Sequence, residues 1–309
     1  MKNFINKIKD KYNYSNELCA YLVYLIPSLI IHYGVEHKEA ILEALYNCEI
    51  HVQEKDEDME EYLDNYFEEN MNFSEEYCSD SPAFYINNIV IKGDDIFLKP
   101  IVFIRTMFFG KYVPFDFTNE DQVHYLTHEI CHLVKGYNRL EISESADNSF
   151  KEVLVSSGFR TDYFNIYDEN NFCLKKSVNT GFEEALNCYD ASQVMSIMTN
   201  SKCSPFGYLG LGNLALGIMK YDSISEIINL LRFSGNLELI DFGGKDEFLK
   251  LMEKFETYHD IVCKYISNSE QMGQAELDLE VVEPLSSVAI DLYCLIDEFY
   301  KDSNSLVRK

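Results

Sequence analysis

His128 and His132 stand four residues apart, with Glu129 directly after the first, in the stretch His128-Glu129-Ile130-Cys131-His132. On a helix, four residues amount to about 40° beyond one turn and about 6 Å of rise, so both imidazoles lean over one face. Two such nitrogens can hold one metal ion at about 2 Å each. Glu129 can then reach a water on that ion without ligating it. An ion such as zinc draws the pKa of its water towards about 7, and a neighbouring carboxylate takes the proton as the oxygen attacks a carbonyl. The chemistry expected of these residues is hydrolysis, with Glu129 as general base. The plainer alternative is two ordinary histidines on a helix, but the chain has only seven histidines, which makes this spacing uncommon by chance.

A catalytic zinc takes three protein ligands and leaves a fourth position to water. No histidine follows His132 until His259, so a carboxylate from a second helix becomes the expected third ligand. The stretch Gly181-Phe182-Glu183-Glu184-Ala185-Leu186-Asn187-Cys188 offers two. On a helical wheel Glu184 aligns with Cys188, Ala191 and Met195, a stripe suited to packing, whereas Glu183 aligns with the more polar Asn187 and Asp190. A carboxylate heading a packed stripe needs a partner, and a metal is one. The wheel therefore favours Glu184 and leaves Glu183 open, and both acids also suit the first turn of a helix. His124 extends the histidines to a row of three. It reads most simply as an exposed first-turn residue; the alternative is that it lines the cleft or supports the ligands.

Thr118 is expected to cap the motif helix, with Asp121 reaching back as a short capping box. Gly136 makes a natural stop, giving a helix over about 119–135. Upstream, residues 15–47 read as helical. Residues 54–76 are an acidic run with aromatics, a solvated helix or a flap. Residues 84–108 change period and read as strands joined by a turn. Downstream, 152–167 looks extended and 181–199 helical. Further helices follow near 206–220, 222–233, 245–268 and 282–301. Mixed α/β elements, then the motif helix, then mostly helices suit one catalytic domain of two lobes.

The net charge is −26, which disfavours nucleic acid and anionic membranes, because both need a basic footprint. It would attract cationic peptides or metal ions, although a solvated acidic surface is the simpler reading. Nine cysteines are spread singly with no CxxC pair. A disulfide framework is not expected, and a reducing cytoplasm fits. The apolar run Leu18–Ile31 is shorter than the roughly 20 residues of a membrane span. It contains Pro27 and reads as a buried core helix bent there.

The HExxH motif, followed some fifty residues later by Gly-Phe-Glu-Glu-Ala-Leu-Asn, resembles the gluzincin type of zincin metallopeptidases. Residues 118–190 are similar to uncharacterised members from AT-rich, Gram-positive bacteria, and the heavy use of Asn, Ile, Lys and Tyr agrees. The resemblance implies an α+β, zincin-like two-lobed domain over 1–309. Its upper lobe, 1–136, would hold a small mixed sheet and the active-site helix, and 137–309 would form a mostly helical lower lobe. It implies one Zn2+ per chain on His128, His132 and Glu184, Glu129 as catalytic base, and a peptide or protein substrate. In such sites a Tyr, His or Arg helps to hold the oxyanion, and Tyr163, Arg160, Tyr189 and Tyr208 are candidates. The alternative is a non-catalytic metal-binding or interaction protein that keeps this fold.

Overall fold

Ser15 opens the first long helix, its Oγ accepting the Leu18 N–H at 3.1 Å, a bond that every helix start leaves to be filled. The computed structural model describes residues 1–53, 83–92, 95–104, 106–108, 111–135, 139–146, 149–168, 171–205, 210–220, 222–234, 245–272, 284 and 286–297. The chain is α+β. Contacts divide it into two compact units. One comprises Met1–Ser157, Thr161–Ser177 and Gln193–Cys203, the other Gly158–Arg160, Val178–Ser192 and Ser204–Lys309.

The first unit begins with helices α1 (Lys2–Tyr12), α2 (Asn16–Tyr33) and α3 (Lys38–Asn47). Helix α2 is the apolar run of the sequence. It carries Pro27 within its span and buries Leu18, Leu22, Leu25, Ile26 and Leu29. No helix among the described residues is long and apolar enough to cross a membrane.

Strands β1 (Glu49–Val52), β2 (Ala83–Lys92) and β3 (Asp95–Ile104) form a mixed sheet in the order β1-β3-β2. Strand β1 runs parallel to β3 and β2 antiparallel to it. The run Ile101-Val102-Phe103-Ile104 is at most 1% exposed, as expected of a central strand covered on both faces. Tyr14 pins the start of β1: its hydroxyl accepts the Ile50 N–H at 2.8 Å and donates to the Cys48 carbonyl at 3.2 Å. A short antiparallel pair, β4 (Thr106–Phe108) and β5 (Lys111–Val113), precedes the motif helix α4 (Glu120–Val134), which packs on β2, β3 and α3.

A second sheet follows in the order β6 (Arg139–Glu144), β7 (Lys151–Ser157), β8 (Arg160–Asp168) and β9 (Asn171–Val178). Val153, Val155, Phe164 and Ile166 from this sheet form one apolar cluster with Ile89 of β2. The sequence pattern anticipated β7 and β8 but not β6 and β9, so the second half of the chain becomes mostly helical only from residue 180. Strand β6 escapes notice because it is almost wholly exposed and shows no alternation of buried and polar positions.

The cap of α4 also differs from expectation. Asn119, not Thr118, is the N-cap, its Oδ1 accepting the N–H groups of Asp121 and Gln122 at 3.0 and 3.1 Å. Thr118 is engaged elsewhere, donating both its hydroxyl (2.7 Å) and its N–H (2.8 Å) to Asp116 Oδ1. That local turn leaves the next residue to cap. The helix stops when Lys135 turns extended. Gly136 and the acidic run 54–76 lie outside the described residues.

The second unit is helical: the first part of α5 (Thr180–Thr199), then α6 (Leu211–Met219), α7 (Asp222–Ser234), α8 (Lys245–Met272) and a last helical stretch over 286–297. Its core is aromatic. Phe182 lies 5.2, 5.6 and 5.1 Å, ring centre to ring centre, from Phe159, Phe248 and Phe255. Beside it lies a polar core. Arg232, fully buried, donates to Glu183 through Nε at 3.1 Å, to Asp190 at 2.7 Å and to Asn187 at 3.1 Å.

Removing this cation leaves two buried carboxylates without their counter-charge, which typically costs about 3–5 kcal/mol. Arg232→Met should therefore lower the urea midpoint of the protein by an amount corresponding to about that loss. A midpoint within error of the parent would show that the network contributes nothing to stability.

Candidate metal centre

Helix α4 is buried almost all round. Eleven of its fifteen residues are buried, including the continuous run from Leu126 to Val134. The polar ones therefore cannot rely on water and need partners. Thr127 has two: it donates to the Val123 carbonyl at 2.7 Å, and its hydroxyl lies 2.8 Å from that of Tyr21 on α2. Ser157, at the end of β7, donates to the His132 carbonyl at 2.9 Å. Tyr85 of β2 lies nearly parallel to the His132 ring, 6.3 Å between centres and 10° between planes.

His128 and His132 meet edge to face, and their Nε2 atoms are 3.1 Å apart. Glu184 completes a group of three buried residues whose potential ligand atoms all lie within 4.8 Å of one another. Two donors at about 2 Å from a tetrahedral ion sit roughly 3.3 Å apart, so the imidazole pair is spaced to within a few tenths of an ångström for a shared cation. The donor set, two imidazoles and a carboxylate, suits zinc or another first-row divalent ion. Glu129, also buried at 8% exposure, adds a carboxylate beside the first ligand in the chain.

The choice between the two adjacent glutamates has a physical basis. Glu183 is already engaged: besides Arg232, its Oε2 accepts the Phe159 N–H at 2.8 Å and its Oε1 accepts from Asn187 Nδ2 at 3.2 Å. Phe159 belongs to the β7–β8 turn, where Gly158 has φ 58°. A Cβ at Gly158 would collide with the Glu183 carboxylate. Both the positive φ and the close approach therefore require glycine. One residue along, about 100° round the helix, Glu184 joins the histidines.

The start of α5 is fixed as firmly. Glu256 of α8 accepts the Phe182 N–H at 3.1 Å, and the amides of Thr180 and Gly181 also stabilise its carboxylate. Burial pushes this carboxyl up, and the amides oppose that shift. A Cβ on Gly181 would meet the Phe255 carbonyl and His259 Cβ, so α5 and α8 touch there through backbone. Near Glu184, burial lowers the pKa of His259, against the pull of Glu184 and Asp260. Burial raises the Cys263 thiol to about 11, helped by the same two carboxylates. Both groups are neutral near pH 7.

His124 is buried rather than exposed. Burial, with His128 adding to it, lowers its pKa to about 4 against the pull of Asp121. Its imidazole therefore adds no charge near the ligands at neutral pH. Among the oxyanion candidates, Tyr163 lies under the Lys176 ammonium at 4.4 Å and Tyr189 packs on the aromatic core of the second unit. Arg160 adds to the forces that depress His259. Tyr208 lies outside the described residues. The sequence reading missed Tyr85, Ser157, Arg232 and Glu256. Only Arg232 left a signal: it shares the apolar face of α7 with Ile228 and Leu231, where a cation must find buried anions.

Comparison with protein-family models, with curated proteins and with solved structures found no match.

The two glutamates should fail differently. Glu184→Ala should lower zinc affinity at least 10–100-fold, the range seen even when a partner of a ligand is lost, while the urea midpoint stays near the parent. Glu183→Ala should lower the midpoint and leave metal affinity less affected. Chelator competition and urea unfolding of both variants read the two effects; a larger affinity loss in Glu183→Ala would reverse the assignment.

Proposed function

We propose that this chain is a zinc-dependent hydrolase, a metallopeptidase of the gluzincin type with a zincin-like two-lobed fold. The observation that carries the reading is the convergence of three buried ligand atoms, on His128, His132 and Glu184, next to a buried Glu129. The donor set supports it: two imidazoles and one carboxylate leave a tetrahedral ion one open position, the arrangement of catalytic rather than structural zinc. Bound zinc supplies Lewis acidity, polarising a carbonyl and acidifying a water.

The chain's own residues supply the rest. Glu129 accepts the proton of the attacking water and returns it to the departing amine nitrogen. Ser157, through the His132 carbonyl, and Tyr85, beside the His132 ring, hold that ligand in place. The network around Arg232 holds the helix that bears Glu184. The net charge of −26 favours a cationic peptide or protein as substrate. On this reading the enzyme works in the cytoplasm.

The zinc-loaded protein should carry about one ion per chain. Glu129→Gln should keep that stoichiometry and lose about 10²- to 10⁴-fold in rate, the usual share of general acid–base catalysis. The measurement is zinc content alongside cleavage of a lysine-rich peptide library. Parent-rate cleavage by the variant would remove Glu129 from the role. One zinc per chain with no cleavage by the parent protein would favour a non-catalytic metal-binding protein of the same fold.

A further inference from the structure

A cavity of about 510 Å³ opens within the first unit, where residues of α2, the approach to α4, α4 itself and the end of α5 meet. Its volume is that of small-molecule sites. The walls are mostly apolar: the rings of Tyr21, Tyr24 and Phe117, with Val123, Met195 and Met198. They are also braced. Phe117 tilts against Tyr21 at 5.9 Å, and Thr127 Oγ1 lies 3.4 Å from Met195 Sδ and 2.8 Å from the Tyr21 hydroxyl. Tyr24 is 66% exposed, which leaves its ring open to a ligand.

The charge on the lining has one sign. Glu17 and Glu120, both exposed first-turn acids, belong to it, and among the described residues no lysine or arginine does. Two helices start beside the cavity, and their cap side chains already take several first-turn amides. Ser15 takes the Leu18 N–H, and Asn119 takes those of Asp121 and Gln122. Aromatic faces also favour a cation over an anion.

We propose that this cavity binds a small aromatic amine in its ammonium form, the ring among Tyr21, Tyr24 and Phe117 and the ammonium towards Glu17 and Glu120. The inference does not depend on the metal centre.

Because the chain contains no tryptophan, tryptamine is a probe with little background. Its fluorescence, excited where tyrosine absorbs little, is titrated with full-length protein treated with chelator, and indole-3-acetate serves as the same ring with the opposite charge. Saturable binding of one tryptamine per chain is expected, with indole-3-acetate at least tenfold weaker. Glu17→Gln and Glu120→Gln should each weaken tryptamine by about twofold to fivefold, the worth of one exposed ion pair. Ala20→Phe, a change at an exposed wall position, should abolish binding while the thermal unfolding curve stays that of a folded protein. Glu17→Lys tests the charge on the surface without filling the space and should weaken binding at least tenfold. His128→Ala should bind like the parent, which separates this site from the metal centre. Equal affinity for the two indoles, or tryptamine binding untouched by both Ala20→Phe and Glu17→Lys, would overturn the proposal.

Discussion

Arg232 is fully buried and donates to Glu183, Asn187 and Asp190, which lie on one face of α5. These acceptors recur at the three- and four-residue spacing that keeps side chains on one side of a helix. A guanidinium with fixed donor directions therefore permits one rotation of α5 about its axis. Because neighbouring residues differ by about 100°, engaging Glu183 also decides where Glu184 points. A buried cation is weak evidence for stability in itself. Its consequence here is orientation, since a helix held only by apolar contacts could settle at more than one rotation about its axis.

Burial of the motif helix follows from the same need for definition. With α4 enclosed, His128, Glu129 and His132 sit among few competing waters, and their electrostatic interactions are stronger than at a surface. Enclosure also sets a condition: each buried polar group needs a partner. Neighbouring elements provide several, Tyr21 for Thr127 and Ser157 for the His132 carbonyl. These partners come from α2 and β7, so the helices and sheets of the first unit act as the frame in which the histidine pair is held. At the other end of the group, Glu256 and the glycine at 181 fix the first turn of α5.

Much of this was legible in the sequence where periodicity and local chemistry act together. The histidine pair, the strands over 84–108 and the helix over 181–199 all rest on spacings of two or about 3.6 residues, and the structure has those elements where the spacing put them; the wheel's polar side of that helix, Glu183, Asn187 and Asp190, is instead fully buried. What was not legible depends on partners distant in sequence. Arg232 lies 49 residues from Glu183 and Glu256 lies 74 from Phe182. No local pattern relates such residues before the chain folds. The cap of α4 failed for a local reason instead: Asp116 draws in Thr118, a competition between two good cap formers that residue preference alone does not decide. His124 is buried where a position near the helix start suggests exposure, because only Glu120 and Asp121 of α4 are exposed and the helix is largely buried from Val123 onward.

The central claim is that one divalent ion is held by two imidazoles and a single carboxylate, with a position left for water. X-ray absorption at the zinc edge of the zinc-loaded protein tests this directly, because the sequence places Cys131 between the two histidines and Cys188 one turn after Glu184. Ligand types differ in bond length, about 2.0–2.2 Å for nitrogen and oxygen and about 2.3 Å for sulfur. The account predicts a first shell of nitrogen and oxygen alone, with the multiple scattering of two imidazoles. A sulfur shell near 2.3 Å, or the scattering of three or more imidazoles, would contradict it.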